Sequence, residues 1–250
     1  MAAERTANTV WEGGLAQGNG TITFKSGATD ALPVTWASRT ERSAGKTSPE
    51  ELIAAAHSSC FSMALSHGLG EAGTPPERLD VTATVTLEVG TGITSSRLVV
   101  RGRVPGIDQA KFEEAANAAK DGCPVSGALK GNVELSVTWA SRTERSDGKT
   151  SPEELIAAAH ASCFAMALSH ELGQAGHDPE RLEVSSVVTL DEVDGAPTVT
   201  TSKLTVRGRV PGIDQEQFEQ AAQGAGKNCP ISRALGGIDI QVDAQLEAGD

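Results

Sequence analysis

The chain has 250 residues, 38% of them hydrophobic and 22% charged, which is too apolar for a disordered polypeptide and gives room for one large domain or two of about half that size. A net charge of −12 and a pI near 4.9 argue against a nucleic-acid surface, which needs a basic patch or stripe. The first ten residues, MAAERTANTV, lack the apolar centre of a secretion signal, and the reading is of a soluble cytoplasmic protein without membrane spans. In that compartment the four cysteines are expected to be reduced thiols rather than structural disulfides.

In chain order, the Trp11 segment and TITFK (Thr21 to Lys25), with Gly-rich turns about them, predict a hairpin, and LPVTWAS predicts the next strand. Ser48 as N-cap, Pro49 at the first helical position and Glu51 three residues on predict a helix from Pro49 to about Leu69 that opens on a capping box. Its apolar residues lie on most sides, so burial is expected all round. Alternation from Val81 to Val89 predicts a half-buried strand, and Arg97 to Val104 a second. Asp108 caps a shorter helix to about Lys120, after which a GCPVS turn leads to a last strand. Strands linked by hairpins and segregated from the helices define an α+β class.

The chain then repeats. Residues 34–81 recur at 137–184 with 40 of 48 positions identical, and the copying continues through RLVVRGRVPGIDQAKFEEAA and KLTVRGRVPGIDQEQFEQAA to GCPVSGAL and NCPISRAL. Two copies of one domain therefore lie head to tail, with boundaries expected at 1–136 and 137–250. The second copy lacks the front hairpin, and no Gly/Ser/Pro linker separates the two, so they are expected to pack as an intramolecular pseudo-dimer. The bland alternative is a recombination product with a damaged second half.

Each copy carries one cysteine deep in the long helix, Cys60 or Cys163, and one before a proline at the end of the short helix, Cys123 or Cys229. A helix thiol paired with a turn-borne thiol is the layout of a two-cysteine peroxide cycle, although buried cysteines also serve as inert packing. Because Cys60 sits far from the helix N-terminus, a cation must supply the activation; Arg39 is the candidate, with Arg42 as the alternative, and Arg142 or Arg145 in the second copy. Glu50 could orient the guanidinium, but it precedes Cys60 by ten residues, about 15 Å along a helix. The two meet only across copies: antiparallel packing of the long helices would set Glu50 beside Cys163 and Glu153 beside Cys60. His57, Cys60 and His67 could share one helix face, as a zinc site or a histidine-activated thiol would need, yet nothing completes a metal shell, and packed or hydrogen-bonded core histidines are the expectation.

TSPEELIAAAHSSCFSMALSHGL, the upstream WEGGLAQGNGTI and the downstream VPGID and GCPVS together resemble the OsmC subgroup of the OsmC/Ohr organic hydroperoxide reductases, over nearly all of copy one and all of copy two except the missing hairpin. The resemblance implies two α+β halves forming a pseudo-twofold dimer, long central helices wrapped by antiparallel sheets, and sites at the interface. It implies that Cys60 and Cys163 attack the peroxide, that Cys123 and Cys229 resolve the sulfenic acid as a disulfide, and that Arg39, Arg142, Glu50 and Glu153 support the thiolates. It implies an organic hydroperoxide substrate and a dithiol reductant, a protein-bound lipoyl group being one candidate, with no metal or flavin cofactor. The competing readings are a module binding an apolar ligand or sensing redox state on the same fold, and a catalytically impaired fusion. With one hairpin for two halves, the two sites are expected to be unequal.

Overall fold

The structure, a computed structural model, describes residues 2–41, 45–131, 134–135 and 150–247. The first half runs β1 (Ala3–Glu12), β2 (Asn19–Phe24), β3 (Leu32–Val34), α1 (Ala37–Thr40), α2 (Pro49–Glu71), β4 (Arg78–Glu88), β5 (Gly92–Arg103), α3 (Gln109–Gly122), α4 (Pro124–Leu129) and β6 (Glu134–Leu135). The second runs α5 (Pro152–Gln174), β7 (Arg181–Val193), β8 (Ala196–Arg209), α6 (Gln215–Asn228), α7 (Pro230–Ala234) and β9 (Asp239–Leu246).

Local chemistry starts the long helices and α3 where the sequence placed them, whereas LPVTWAS, expected as one strand, gives only the short β3 before Ala37 enters α1. Ser48 Oγ accepts the Glu51 amide at 3.2 Å, Ser151 Oγ the Glu154 amide at 3.3 Å, and the Asp108 carboxylate the Lys111 amide at 2.9 Å. The expected capping box at Ser48 is only half made. The Glu51 carboxylate accepts from Thr47 Oγ1 at 2.8 Å instead of turning back to the N-cap amide. The GCPVS segment, expected as a turn, winds into the short helix α4, because Pro124 fits the first helical position and Cys123 Sγ caps the Ser126 amide.

Helices α2 and α5 pack against each other at the centre, between two sheets. The sheets are mixed rather than antiparallel throughout: β6 runs parallel to β5, and β9 parallel to β8. Each of these strands returns after a helical crossover, and a crossover delivers a parallel neighbour.

The hairpin is not used by the half that carries it. β1 pairs antiparallel with β7, from Ala3 opposite Leu190 to Trp11 opposite Leu182, so the order β3-β2-β1-β7-β8-β9 completes the second half's sheet. Trp11 is fully buried beneath this sheet, and Gly20 is required opposite it, since a Cβ there would come within 2.8 Å of the indole and of Val34. Ser26, just past β2, donates its amide and hydroxyl to the Glu154 carboxylate at 2.9 and 2.7 Å. Ser169 Oγ donates to the Gly13 carbonyl at 3.0 Å.

The uncovered half is therefore the first, although the second lacks the hairpin in sequence. Among the described residues its sheet holds only β4-β5-β6. Helix α5 is buried on nearly every side, as expected of both long helices, whereas α2 leaves Glu51 and Ala55 exposed and Ser58, Ser59, Ser62 and Met63 half-exposed. Helix α5 is also long and apolar enough to span a membrane by composition, which the sequence reading had excluded, but 83% of its apolar window is buried inside this fold. Its apolarity is that of a core helix.

Candidate active site

Each half brings its two cysteines together. Cys60 Sγ and Cys123 Sγ lie 3.0 Å apart, as do Cys163 Sγ and Cys229 Sγ, and all four residues are at most 1% exposed. The long helix supplies the first thiol of each pair. The second comes from the Cys-Pro junction between two helices, where proline forces the preceding residue out of helical geometry, at ψ 117° for Cys123 and 124° for Cys229.

Arg39, on α1, ends in a buried pair with Glu50: its Nη2 donates to Oε1 at 2.5 Å and its Nε to both carboxylate oxygens at 3.2 and 3.3 Å. Only 2% of the guanidinium side chain is exposed, and it lies 5.6 Å from the centroid of the Trp36 ring. The two residues belong to the first half, yet their charges act on Cys163 and Cys229 of the second. The first turn of α2 thus lies beside the middle of α5. Arg142, Arg145 and Arg42 lie outside the described residues; Glu153 is buried in the first turn of α5.

Two sulfurs at 3.0 Å titrate as a pair and share one proton between them. Burial opposes any charge here, but Cys229 is nonetheless drawn down to about 7 by Cys163, by the amide and hydroxyl of Ser232 and by Arg39. Cys163 moves the other way, pushed up by burial and by its bonded neighbour. Near neutral pH the pair therefore begins to give up one proton, with the charge resting on Cys229 and favoured by the Arg39 guanidinium.

Behind each pair sits a buried, hydrogen-bonded histidine, as expected for His57 from the sequence. His57 Nδ1 meets Ser96 Oγ at 2.7 Å and its Nε2 meets Ser126 Oγ at 3.0 Å; His160 makes the same bonds to Ser202 at 2.7 Å and Ser232 at 2.8 Å. Burial drives their pKa values down to about 4 and 3, so both are neutral at pH 7. Each ties the long helix to a strand and to the serine three residues after the second cysteine, fixing the turn that carries that thiol. The recurrence of Cys-Pro-X-Ser in both copies was the legible signal for Ser126 and Ser232. His67 is exposed.

A cavity of about 700 Å³ opens beside Arg39 and Glu50, walled by Ser48, Glu51, Ala54 and the β4 residues Ala83, Val85 and Leu87. None of the cysteines lines it. No group of three or more His, Cys, Asp or Glu suited to a metal ion occurs among the described residues.

Comparison with known proteins identifies the family. The chain is 44% identical over 138 residues, covering 54% of it and 96% of the relative, to peroxiredoxin OsmC of Escherichia coli. It is 31% identical over 100 residues, 38% of it and 67% of the relative, to an organic hydroperoxide resistance protein of Xanthomonas axonopodis. Among solved structures, an organic hydroperoxide resistance protein OsmC from Legionella pneumophila is 20% identical with a TM-score of 0.38, covering 66% of this chain and 96% of that one. The family described as OsmC-like protein matches twice, at residues 42–138 and 145–243. The chain belongs to the OsmC-like family, as two of its domains joined in one polypeptide.

Proposed function

We propose that the protein is a thiol peroxidase that reduces organic hydroperoxides to alcohols, with two cysteine pairs in one chain. The observation that carries the reading is the buried contact of 3.0 Å between a helix thiol and a turn thiol, with the Arg39–Glu50 pair beside Cys163 and Cys229. The names of the relatives, a peroxiredoxin and hydroperoxide resistance proteins, support the same class.

In this reading the proton shared across the sulfur contact passes to the turn sulfur, the helix sulfur attacks the outer peroxide oxygen as the thiolate, the O–O bond breaks, and the alkoxide leaves as alcohol after taking that proton. The helix cysteine becomes a sulfenic acid. Its partner's sulfur then displaces hydroxide, which leaves as water, and the pair closes by about 1 Å to a disulfide. A dithiol reductant returns both sulfurs to thiols and is itself oxidised. Arg39 holds the negative charge at the pair, Glu50 aims the guanidinium, and Glu153 with Arg142 would serve the Cys60–Cys123 pair. The thiols lie within a core of Ala, Leu, Ile and Phe side chains, which favours an alkyl or lipid hydroperoxide over hydrogen peroxide.

Stoichiometric cumene hydroperoxide should consume thiols two at a time and release cumyl alcohol. Peptide mapping should then find Cys60 linked to Cys123 and Cys163 to Cys229. Thiols that survive, or that stop at isolated sulfenic acids without alcohol turnover, would sink the peroxidase reading in favour of a sensing or ligand-binding role.

A further inference from the structure

Strand β4 ends the first half's sheet among the described residues, with its outer backbone edge unpaired. The equivalent edge, on β7, is paired with β1 along nine positions, which leaves no hairpin for β4. The consequence shows in burial. The inner face of β7 is dry, with Leu182, Ser186 and Val188 fully buried and Val184 2% exposed, whereas Leu79, Val81, Ala83, Val85 and Leu87 on β4 are only half-buried. Two exposed valines adjoin the same strand: Val89 follows it, and Val99 pairs with Thr82. An eleven-residue edge that is regular and apolar on one face is a template for pairing. The irregularity in this hairpin skips Thr94 on β5, so β4 itself stays regular.

We propose that the free edge of β4 pairs antiparallel with β4 of a second copy of this chain, about a twofold axis at Ala83. The sequence RLDVTATVTLE reads nearly the same in both directions about that alanine. Arg78 of one copy then stands opposite Glu88 of the other, Leu79 opposite Leu87, Val81 opposite Val85 and Thr82 opposite Thr84. Opposite charges, aliphatic pairs and threonine pairs are the favourable cross-strand contacts of antiparallel sheets. Only Asp80 against Thr86 lacks a matched partner, and Asp80 already receives Arg78 Nη2 at 2.6 Å. The union joins two three-stranded sheets into one of six, the size that the hairpin gives the other sheet.

A second hairpin is the competing occupant, and helix α2 argues against it. Ser58 and Ser62 stand where the hairpin-covered helix has Ala161 and Ala165, both fully buried. Hydroxyls at these positions suit a face that is not sealed by a dry apolar layer. The isologous edge contact needs one surface patch used twice, as closed twofold assembly requires. It also runs along the wall of the cavity beside Arg39, to which Ala83, Val85 and Leu87 contribute.

Sedimentation velocity of the full chain at micromolar concentration tests the proposal. The expected mass is twice 25.8 kDa, falling to 25.8 kDa for Thr82→Lys/Thr84→Lys, which sets like charges opposite one another. Ala83→Cys, a milder change, should form a dimer linked through residue 83 on mild oxidation. A wild-type chain that stays at 25.8 kDa overturns the proposal. So does a dimer that survives the lysines and leaves Cys at position 83 unlinked. A monomer that instead binds a peptide of residues 3–34 at β4 also overturns it, and assigns the edge to a hairpin.

Discussion

Helices α2 and α5 begin with the same PEELIAAAH and diverge in what surrounds them. Around α5, β1 and β2 form a lid, Ser26 anchors on Glu154, and the helix is buried along its length. Around α2 the described residues include no corresponding layer, and Glu51, the counterpart of Glu154, is exposed and accepts from Thr47. Burial of these residues is therefore a property of topology rather than of local sequence. Two differences on the long helices follow exposure, Ser58 for Ala161 and Ser62 for Ala165, whereas half-buried Ala83 stands where fully buried Ser186 meets Ser202 at 3.2 Å. A homodimer cannot vary equivalent positions in this way; a fused pair can.

The largest expected effect sets the two histidines against each other. The unfolded chain takes up a proton at each below about 6.5, but the folded chain only below about 4 at His57 and about 3 at His160. The unfolded state therefore holds more protons across that window, and stability is lost as the pH falls through it, by up to about 3 kcal/mol at His57 and about 5 kcal/mol at His160. Guanidinium midpoints measured from pH 7 downward should drop in this way, and His160→Asn should flatten the profile more than His57→Asn. Equal flattening would erase the difference in burial between the halves.

Arg39→Met comes next. Loss of the cation leaves less thiolate on the Cys163–Cys229 pair, so its oxidation at pH 7 should slow on the order of tenfold. The Cys60–Cys123 pair should be spared, and mass spectrometry of the two disulfides after brief peroxide exposure separates them. A matched loss at both pairs would show that Arg39 acts on the whole fold.

Smaller effects probe the lid. Glu154→Ala removes two charge-assisted bonds from Ser26 and should cost about 2 kcal/mol in thermal or chemical unfolding, while Glu51→Ala should stay within about 0.5 kcal/mol. Last, Ala161→Ser should cost about 1 kcal/mol by placing a hydroxyl in a fully buried position, and Ser58→Ala should be near neutral. Equal costs in either comparison would mean that the lid does not distinguish the halves.

Much of this was readable before any coordinates. Helix starts followed from Ser48, Pro49 and Asp108 because capping is local, and the distance between Glu50 and Cys60 along one helix already required a partner from the other copy. What was not readable is non-local. Nothing in WEGGLAQGNGTI says that β1 pairs with β7 rather than β4, because the copies are so alike that both edges offer nearly the same partner. The serine partners of the histidines were not readable for a similar reason: Ser96 and Ser202 sit on strands whose alternation reports the face, not the contact.

The placement of the hairpin also orders events in time. Its strand partner, Leu182 to Leu190, lies 171 to 187 residues further along the chain, so the ribosome releases the lid well before its seat exists. At about 5 to 20 residues per second, β1 and β2 wait roughly 10 to 30 seconds with an apolar face unfilled. Final closure must then be a late step of high sequence separation, the slow kind of contact to form.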